Sequence, residues 1–366
     1  MKLCHICNSA PHYRDSIFRL IDETFDCDCL FGDSMGDIKQ METSTLRGNV
    51  TIVENKRLGK WYWQPKVLGL LRKSYDTYLI LGDTRCLSTW IFSICARLFY
   101  PTKRIFFWSH CWYGKETKAE KHIKKIFFHL PKGGIFLYGN YAKELMIKEG
   151  FNPEKLYVIH NSLAYDKQLE LRRTMSVKPI FTEHFMNFDN NLIFIGRLTK
   201  VKQLDILLKA IKLLSDRGKF FNLTFVGDGS EREKLESLVK GLGLTERVWF
   251  YGACYDETVN ADFIYNADLC VSPGNVGLTA MHVMMFGTPV VTHNNFAYQM
   301  PEFEAIHEGE TGAFFEYGNV ESLAQTIADW FSSKFDKREE VRKACFREID
   351  TQWTPQFQIN VLKTFL

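Results

Sequence analysis

The sequence predicts an α/β protein of two Rossmann-like domains, each a parallel sheet with helices on its faces, the pair facing a central cleft. Three observations predict it. Short apolar runs alternate with amphipathic stretches along the whole chain. The runs form two series, "KLCHIC", "CDCLFG", "VTIV", "TYLILG", "RIFFWS", "GIFLYG" and "KLYVIH", then "NLIFIG", "NLTFVG", "RVWFYG", "DLCVS", "TPVVT" and "GAFF". Between the series lies a polar, irregular stretch, residues 164–190.

These features divide the chain into a first domain over residues 1–163, a linker over 164–190 and a second domain over 191–349. The last stretch, "TQWTPQFQINVLKTFL", has helical spacing, and a helix over 350–366 is expected to complete the first domain. In the second domain Leu204, Leu207, Leu208, Ile211 and Leu214 recur at helical spacing, and Ser230 with Glu233 predicts a capping box. A length of 366 residues suits two domains, and 46% hydrophobic residues supports two cores.

A net charge of +3 gives no electrostatic footprint for nucleic acid, so no nucleic-acid partner is expected. The opening "MKLCHICNSAPHYRD" alternates like a strand and lacks the apolar run of a signal peptide. No stretch reaches the ~18 apolar residues that a membrane span needs. The expected location is cytoplasmic, at most peripheral on the inner face of a membrane. Ten cysteines fit a reducing compartment. Cys4 and Cys7 form a CxxC with Cys27 and Cys29 nearby, but the pair sits in a strand pattern and no second CxxC answers it. Buried thiols are expected there, and no metal.

Ligands of open parallel sheets bind outside the carboxyl ends of the strands, so the loops after strands carry the candidate chemistry. In "FIGRLTKVKQLD", Gly196 ends a strand, and Arg197 and Lys202 follow before the helix. Two cations there suit a diphosphate, Arg as a fork and Lys as a point charge, although two solvated loop charges would look the same. In "SPGNVGLTAMHVMMFGTPVV", Gly274, Asn275, Val276 and Gly277 precede a helix opening at Leu278. Glycines let amides approach an anion, and a helix N-terminus adds partial positive charge.

From about residue 191 to 331 the sequence resembles the donor domain of GT-B glycosyltransferases of family 4. The matching pieces are "IGRLTKVKQLD", "FVGDGSEREKLESL", "VWFYG", "YNADLCVSPG", "GTPVVTHNN" and "EGETGAFFEYGNVESLAQTIADW". In the first half, "FWSHCWYG" and "GNYAKELMIKEGFNPEKLYVIHNSL" look like the acceptor-domain end of the same family. The resemblance implies metal-independent, retaining transfer of a sugar from a nucleotide-diphosphate donor, which is a substrate, so no cofactor is expected. It implies that Arg197 and Lys202 hold the diphosphate.

One departure stands out. The family usually carries two glutamates eight positions apart at the glycine turn and its helix, and those positions here are Gly274 and His282. His282 is expected at the ribose or phosphate, a single ring nitrogen in place of a carboxylate. Recognition of the donor sugar then falls to "THNNFAYQMPEFEAI", with Asn294, Asn295, Gln299, Glu302 and Glu304 as candidates. Gly227 and Gly229 of "VGDGS" join the donor-binding set; the pair lacks the third glycine of a dinucleotide turn.

On the acceptor side the resemblance points to His110, near donor sugar and acceptor, positioning them or acting as base. His12, Tyr13 and Arg14 follow the first strand, and Arg14 suits an acceptor phosphate. Residues 115–130, "KETKAEKHIKKIFFHL", carry lysines beside an apolar stripe of Ile123, Ile126, Phe127 and Leu130, which suits an anionic membrane. The expected function is retaining glycosyl transfer from a nucleotide sugar to a glycan or lipid-linked saccharide in surface polysaccharide (lipopolysaccharide or capsule) synthesis. Two alternatives stay open: a GT-B sugar-nucleotide epimerase or phosphorylase, and a non-catalytic sugar-nucleotide-binding subunit.

Overall fold

The computed structural model describes residues 1–34, 39–334 and 336–366. Backbone contacts divide them into two compact units. One is Met1–Tyr165 with Trp353–Leu366, the other Asp166–Gln352.

The first unit contains β1 (Lys2–Cys7), β2 (Asp26–Gly32), β3 (Val50–Val53), β4 (Lys56–Leu58), β5 (Trp61–Trp63), β6 (Thr77–Leu81), β7 (Arg104–Ser109), β8 (Gly134–Leu137) and β9 (Leu156–Val158). Its main sheet runs β3-β2-β1-β6-β7-β8-β9 and is parallel throughout. The short antiparallel pair β4–β5 stands apart from it, and its few residues gave no periodic signal in the sequence. Successive side chains of a strand alternate between faces, and both faces are covered here, so the strands are apolar nearly throughout. In β7, Ile105 and Phe107 join one core, and Phe106 and Trp108 the other. Cys4 and Cys7 separate in the same way, because three positions along a strand reverses the face. Burial pushes the Cys7 thiol up to about 12.

The C-terminal helix Pro355–Phe365 buries Ile359 and Leu362 in the second of these cores. Each contributes roughly 1.5–3 kcal/mol, enough to hold a three-turn helix. Gln358 fixes its register, donating to the His160 carbonyl at 2.9 Å and accepting from the Ser162 hydroxyl at 2.6 Å.

The second unit contains β10 (Asn190–Ile195), β11 (Phe221–Val226), β12 (Val248–Gly252), β13 (Leu269–Ser272), β14 (Val290–His293) and β15 (Gly312–Phe315), in the order β12-β11-β10-β13-β14-β15. This sheet is also parallel, so its strand exits share one edge. The stretch expected as an irregular linker belongs to this unit from Asp166 onward. It forms helices Tyr165–Thr174 and Ile180–Phe185, with Phe181 buried and Arg172 paired to Asp350 at 2.8 Å. The sparse apolar residues along 164–190 hid that packing. The capping box expected at Ser230 is also absent. The helix spans Arg232–Gly241 after Glu231, whose amide donates instead to the Leu198 carbonyl at 3.0 Å.

Histidines buried in both units are held neutral. Burial, reinforced by the Arg14 charge, pushes His5 down to about 3, and burial pushes His293 down to about 4. Below pH 6.5 the unfolded chain takes up protons that the folded chain refuses, so stability is lost as pH falls from about 6.5 toward 4. The melting temperature should therefore drop steadily across that interval in a calorimetric pH series. A level profile there would mean that these imidazoles titrate freely in the fold.

Candidate functional site

The loops leaving β10, β11 and β13 touch backbone to backbone. Gly196 and Gly227 have φ of 140° and 150°, and a Cβ on Gly227 would fall 1.9 Å from the Gly196 carbonyl oxygen. Gly229 packs as closely on Leu198, where a Cβ would lie 2.4 Å from that carbonyl. On the other side, the Gly274 amide donates to the Lys202 carbonyl at 2.9 Å, and a Cβ there would meet the Val201 carbonyl at 2.0 Å. The glycines at 227, 229 and 274 thus serve backbone packing between loops.

This packing joins the two expected constellations. Lys202 Nζ donates to the Asn275 carbonyl at 2.6 Å and to Asn275 Oδ1 at 3.0 Å. Burial lowers its affinity for a proton to about 8; Cys270 and Glu302 oppose that shift and Arg197 adds to it. Arg197 is exposed and makes no ion pair among the described residues. A fixed, half-desolvated ammonium and a free guanidinium thus stand at one strand exit.

The amide cradle is narrower than the sequence suggests. The Val276 amide donates to Gln299 Oε1 at 2.9 Å, and Gly274 is committed to Lys202. Gln299, considered above as a sugar ligand, is buried and spans from Val276 to Thr292 Oγ1 at 2.8 Å and the His293 carbonyl at 3.1 Å. Gly277 has φ of 55° and opens the helix Leu278–Met285, where the amides of Gly277 and Leu278 have no partner among the described residues. Asn295 donates its amide to His293 Nδ1 at 3.2 Å; Glu302 is buried and Glu304 partly buried in the turn Pro301–Ala305.

His282 has a neighbour that the sequence did not disclose. Its Nε2 lies 3.0 Å from Glu257 Oε1, at the start of the helix Glu257–Asn266, and Gln168 donates to the same oxygen at 2.8 Å. Burial would raise the Glu257 carboxyl, but the bonds from His282 and Gln168 hold it below its ordinary value. A carboxylate therefore stands behind the histidine at the position where the resembled family has a glutamate. Nothing in the spacing of residues 257 and 282 signals a contact between separate helices.

In the first unit, a cavity of about 490 Å³ is lined by residues from the exits of β1, β6 and β7, including Tyr13, Arg14, Asp83, Arg85 and His110. Its size is that of a small-ligand site. His12 is exposed and does not line it; its Nδ1 lies 3.3 Å from the Lys39 carbonyl and its ring 5.9 Å from that of Tyr13. The His110 ring lies 4.4 Å from Tyr138, and Cys111, with φ of 54°, follows it. That left-handed residue is held by its amide donating to Ser109 Oγ at 3.2 Å, which fixes the backbone beside the imidazole. Burial, then the Arg14 and Lys124 charges, pushes His110 down to about 4, so the ring is neutral at physiological pH.

Replacing Gly274 with Ala should cost about 1–3 kcal/mol of unfolding free energy and shift the Lys202–Asn275 contact, because the new methyl meets the backbone of Val201 and Lys202. Urea titration measures the first and the Lys202 ammonium resonance reports the second; wild-type values in both would disprove the close approach.

Residues 182–347 match the sequence family described as glycosyl transferases group 1. Among curated proteins, the chain is similar to a 41.2 kDa protein of the Klebsiella pneumoniae cps region, 26% identical over 64% of this chain and 65% of that protein. It is also similar to a glycosyltransferase of Methanocaldococcus jannaschii, 26% identical over 51% of this chain and 46% of that one. The chain thus spans less than two thirds of either relative. Two solved structures cover the whole fold. Anabaena HepE in complex with UDP matches with a TM-score of 0.71 at 17% identity, covering 100% of this chain and 99% of that one. The lipopolysaccharide outer core galactosyltransferase WaaB matches with a TM-score of 0.73 at 16% identity, covering 100% of both chains. Residues 182–347 thus resemble glycosyl transferases group 1, and the two parallel-sheet units have the GT-B fold of these solved structures.

Proposed function

We propose that the protein is a retaining, metal-independent glycosyltransferase of the family 4 type, moving a sugar from a nucleotide-diphosphate sugar to a glycan or lipid-linked saccharide in surface polysaccharide synthesis. The observation that carries this is the meeting of Arg197, Lys202 and the glycine turn within the segment matching the family. A leaving pyrophosphate there would be neutralised by a guanidinium, a fixed ammonium and the amides of Gly277 and Leu278, charge that suffices without a divalent ion. His282, backed by Glu257, serves the ribose side. Glu304 and Asn295 serve the sugar hydroxyls. On the acceptor side, His110 supplies a neutral imidazole and Tyr13 and Arg14 line the same cavity.

The relatives support the direction of this reading. The similar Klebsiella protein is named for its cps region, and one similar solved structure was obtained with UDP. Membrane contact through residues 115–130 is part of the proposal, resting on exposed Ile123 and Ile126 of the helix Lys118–Phe128. The helix is less basic in effect than its sequence, because Lys121 and Lys125 pair with Glu149 and Lys124 with Glu116. Phe127, counted in the expected stripe, is buried in the core. Among the described residues no helix is long and apolar enough to cross a membrane.

A thermal-shift panel of sugar nucleotides should give one donor that raises the melting temperature, since a ligand of the folded state alone stabilises it. Arg197→Ala should lower turnover of that donor by about 10²-fold, and because Arg197 is exposed it should move stability by no more than about 0.5 kcal/mol. Binding without any donor turnover would instead favour the non-catalytic subunit. Nucleotide affinity should also weaken as pH rises through about 8, where free Lys202 loses its charge, and Lys202→Met should remove that dependence.

A further inference from the structure

In the first unit, Arg14 is 7% exposed and carries a charge that nothing nearby balances. Its guanidinium lies 4.5 Å from the Trp108 ring centre and 5.3 Å from Tyr138, and one nitrogen donates to the Tyr138 hydroxyl. Among the described residues no carboxylate reaches it within ion-pair distance. The other cations of the cavity are already matched. Arg85 forks onto Asp83 at 3.1 and 3.2 Å, and Lys124 holds Glu116 at 2.7 Å. Buried charges in proteins are ordinarily paired, because removal from water is costly and an aromatic face offsets only part of that cost.

A second polar group in the same cavity is also unanswered. His110 Nδ1 is closed off from solvent and bonds to nothing among the described residues. A forked cation and a neutral imidazole nitrogen in one cavity are complementary to a carboxylate or phosphate that also bears a hydroxyl. The cavity is lined entirely by residues of the first unit, whereas the pyrophosphate groups described above belong to the second. We propose that this cavity binds an anionic oxygen group of the acceptor saccharide, a carboxylate or a phosphate, with Arg14 as its counter-charge. This rests on the transferase reading for the word acceptor, but the anion site itself does not.

The test is calorimetry on the full chain with glucuronate, glucose 1-phosphate, glucose and UDP. At least one charged sugar should bind ~10-fold or more tightly than glucose, as expected when a charged hydrogen bond is gained; which one distinguishes carboxylate from phosphate. Arg14→Met should abolish the preference while the melting temperature without ligand holds or rises, since an unbalanced buried charge is removed. If Arg14→Met does not fold, Arg14→Lys decides, keeping the charge without the fork and weakening the preference. Equal binding of glucose and the charged sugars, or a preference that survives both variants, overturns the proposal. So does displacement of the charged sugar by UDP through Arg14, which would give the site to the donor's phosphates. No preference in the wild-type protein with donor turnover intact defeats the anion site alone; a wild-type preference without donor turnover defeats the transferase reading alone.

Discussion

Close backbone contact between strand-exit loops is the constraint on which the second unit's chemistry depends. The loop after β10 is gripped on one side by Gly227 and Gly229 and on the other by Gly274, at separations that no side chain tolerates. Because of that grip Lys202 reaches Asn275, and its ammonium is partly desolvated at a fixed place. A preorganised cation of this kind needs no rearrangement when an anion arrives, and a drier setting strengthens its field. The glycines therefore act on charge placement as much as on chain geometry.

A related economy runs through the polar groups around the turn. Gln299 satisfies Val276, Thr292 and the His293 carbonyl together, so the turn is rigid before any ligand binds. The cost is that fewer amides remain for an anion, and the free ones lie at the helix start, where the helix dipole favours negative charge. His282 and Glu257 follow a similar logic, in which a neighbouring helix supplies a carboxylate behind a histidine. In the first unit the balance is left open instead. Arg14 and His110 sit in a cavity whose one lining carboxylate, Asp83, is taken by Arg85, and a ligand would complete it.

Much of the fold was legible in the sequence. Strands buried on both faces need continuous apolar runs, and each run quoted at the outset is a strand of one of the two large sheets. Motif spacing singled out Arg197, Lys202 and the turn at residues 274–277, and the structure brings Lys202 onto Asn275 of that turn, because glycine lets the two loops approach backbone to backbone. Less legible were the helices over 165–185, whose apolar residues are too sparse to show a period, and the short pair β4–β5.

What the sequence determined by itself is the alternation of strands and helices, and with it the placement of loops at strand exits, since periodicity is a local property. Tertiary structure alone decided which polar groups meet. It paired His282 with Glu257, spent the Val276 amide on Gln299, excluded His12 from the cavity and left Arg14 without an acid among the described residues. Those contacts join residues far apart in the chain, and their energies depend on burial and distance, quantities that spacing along the sequence does not encode.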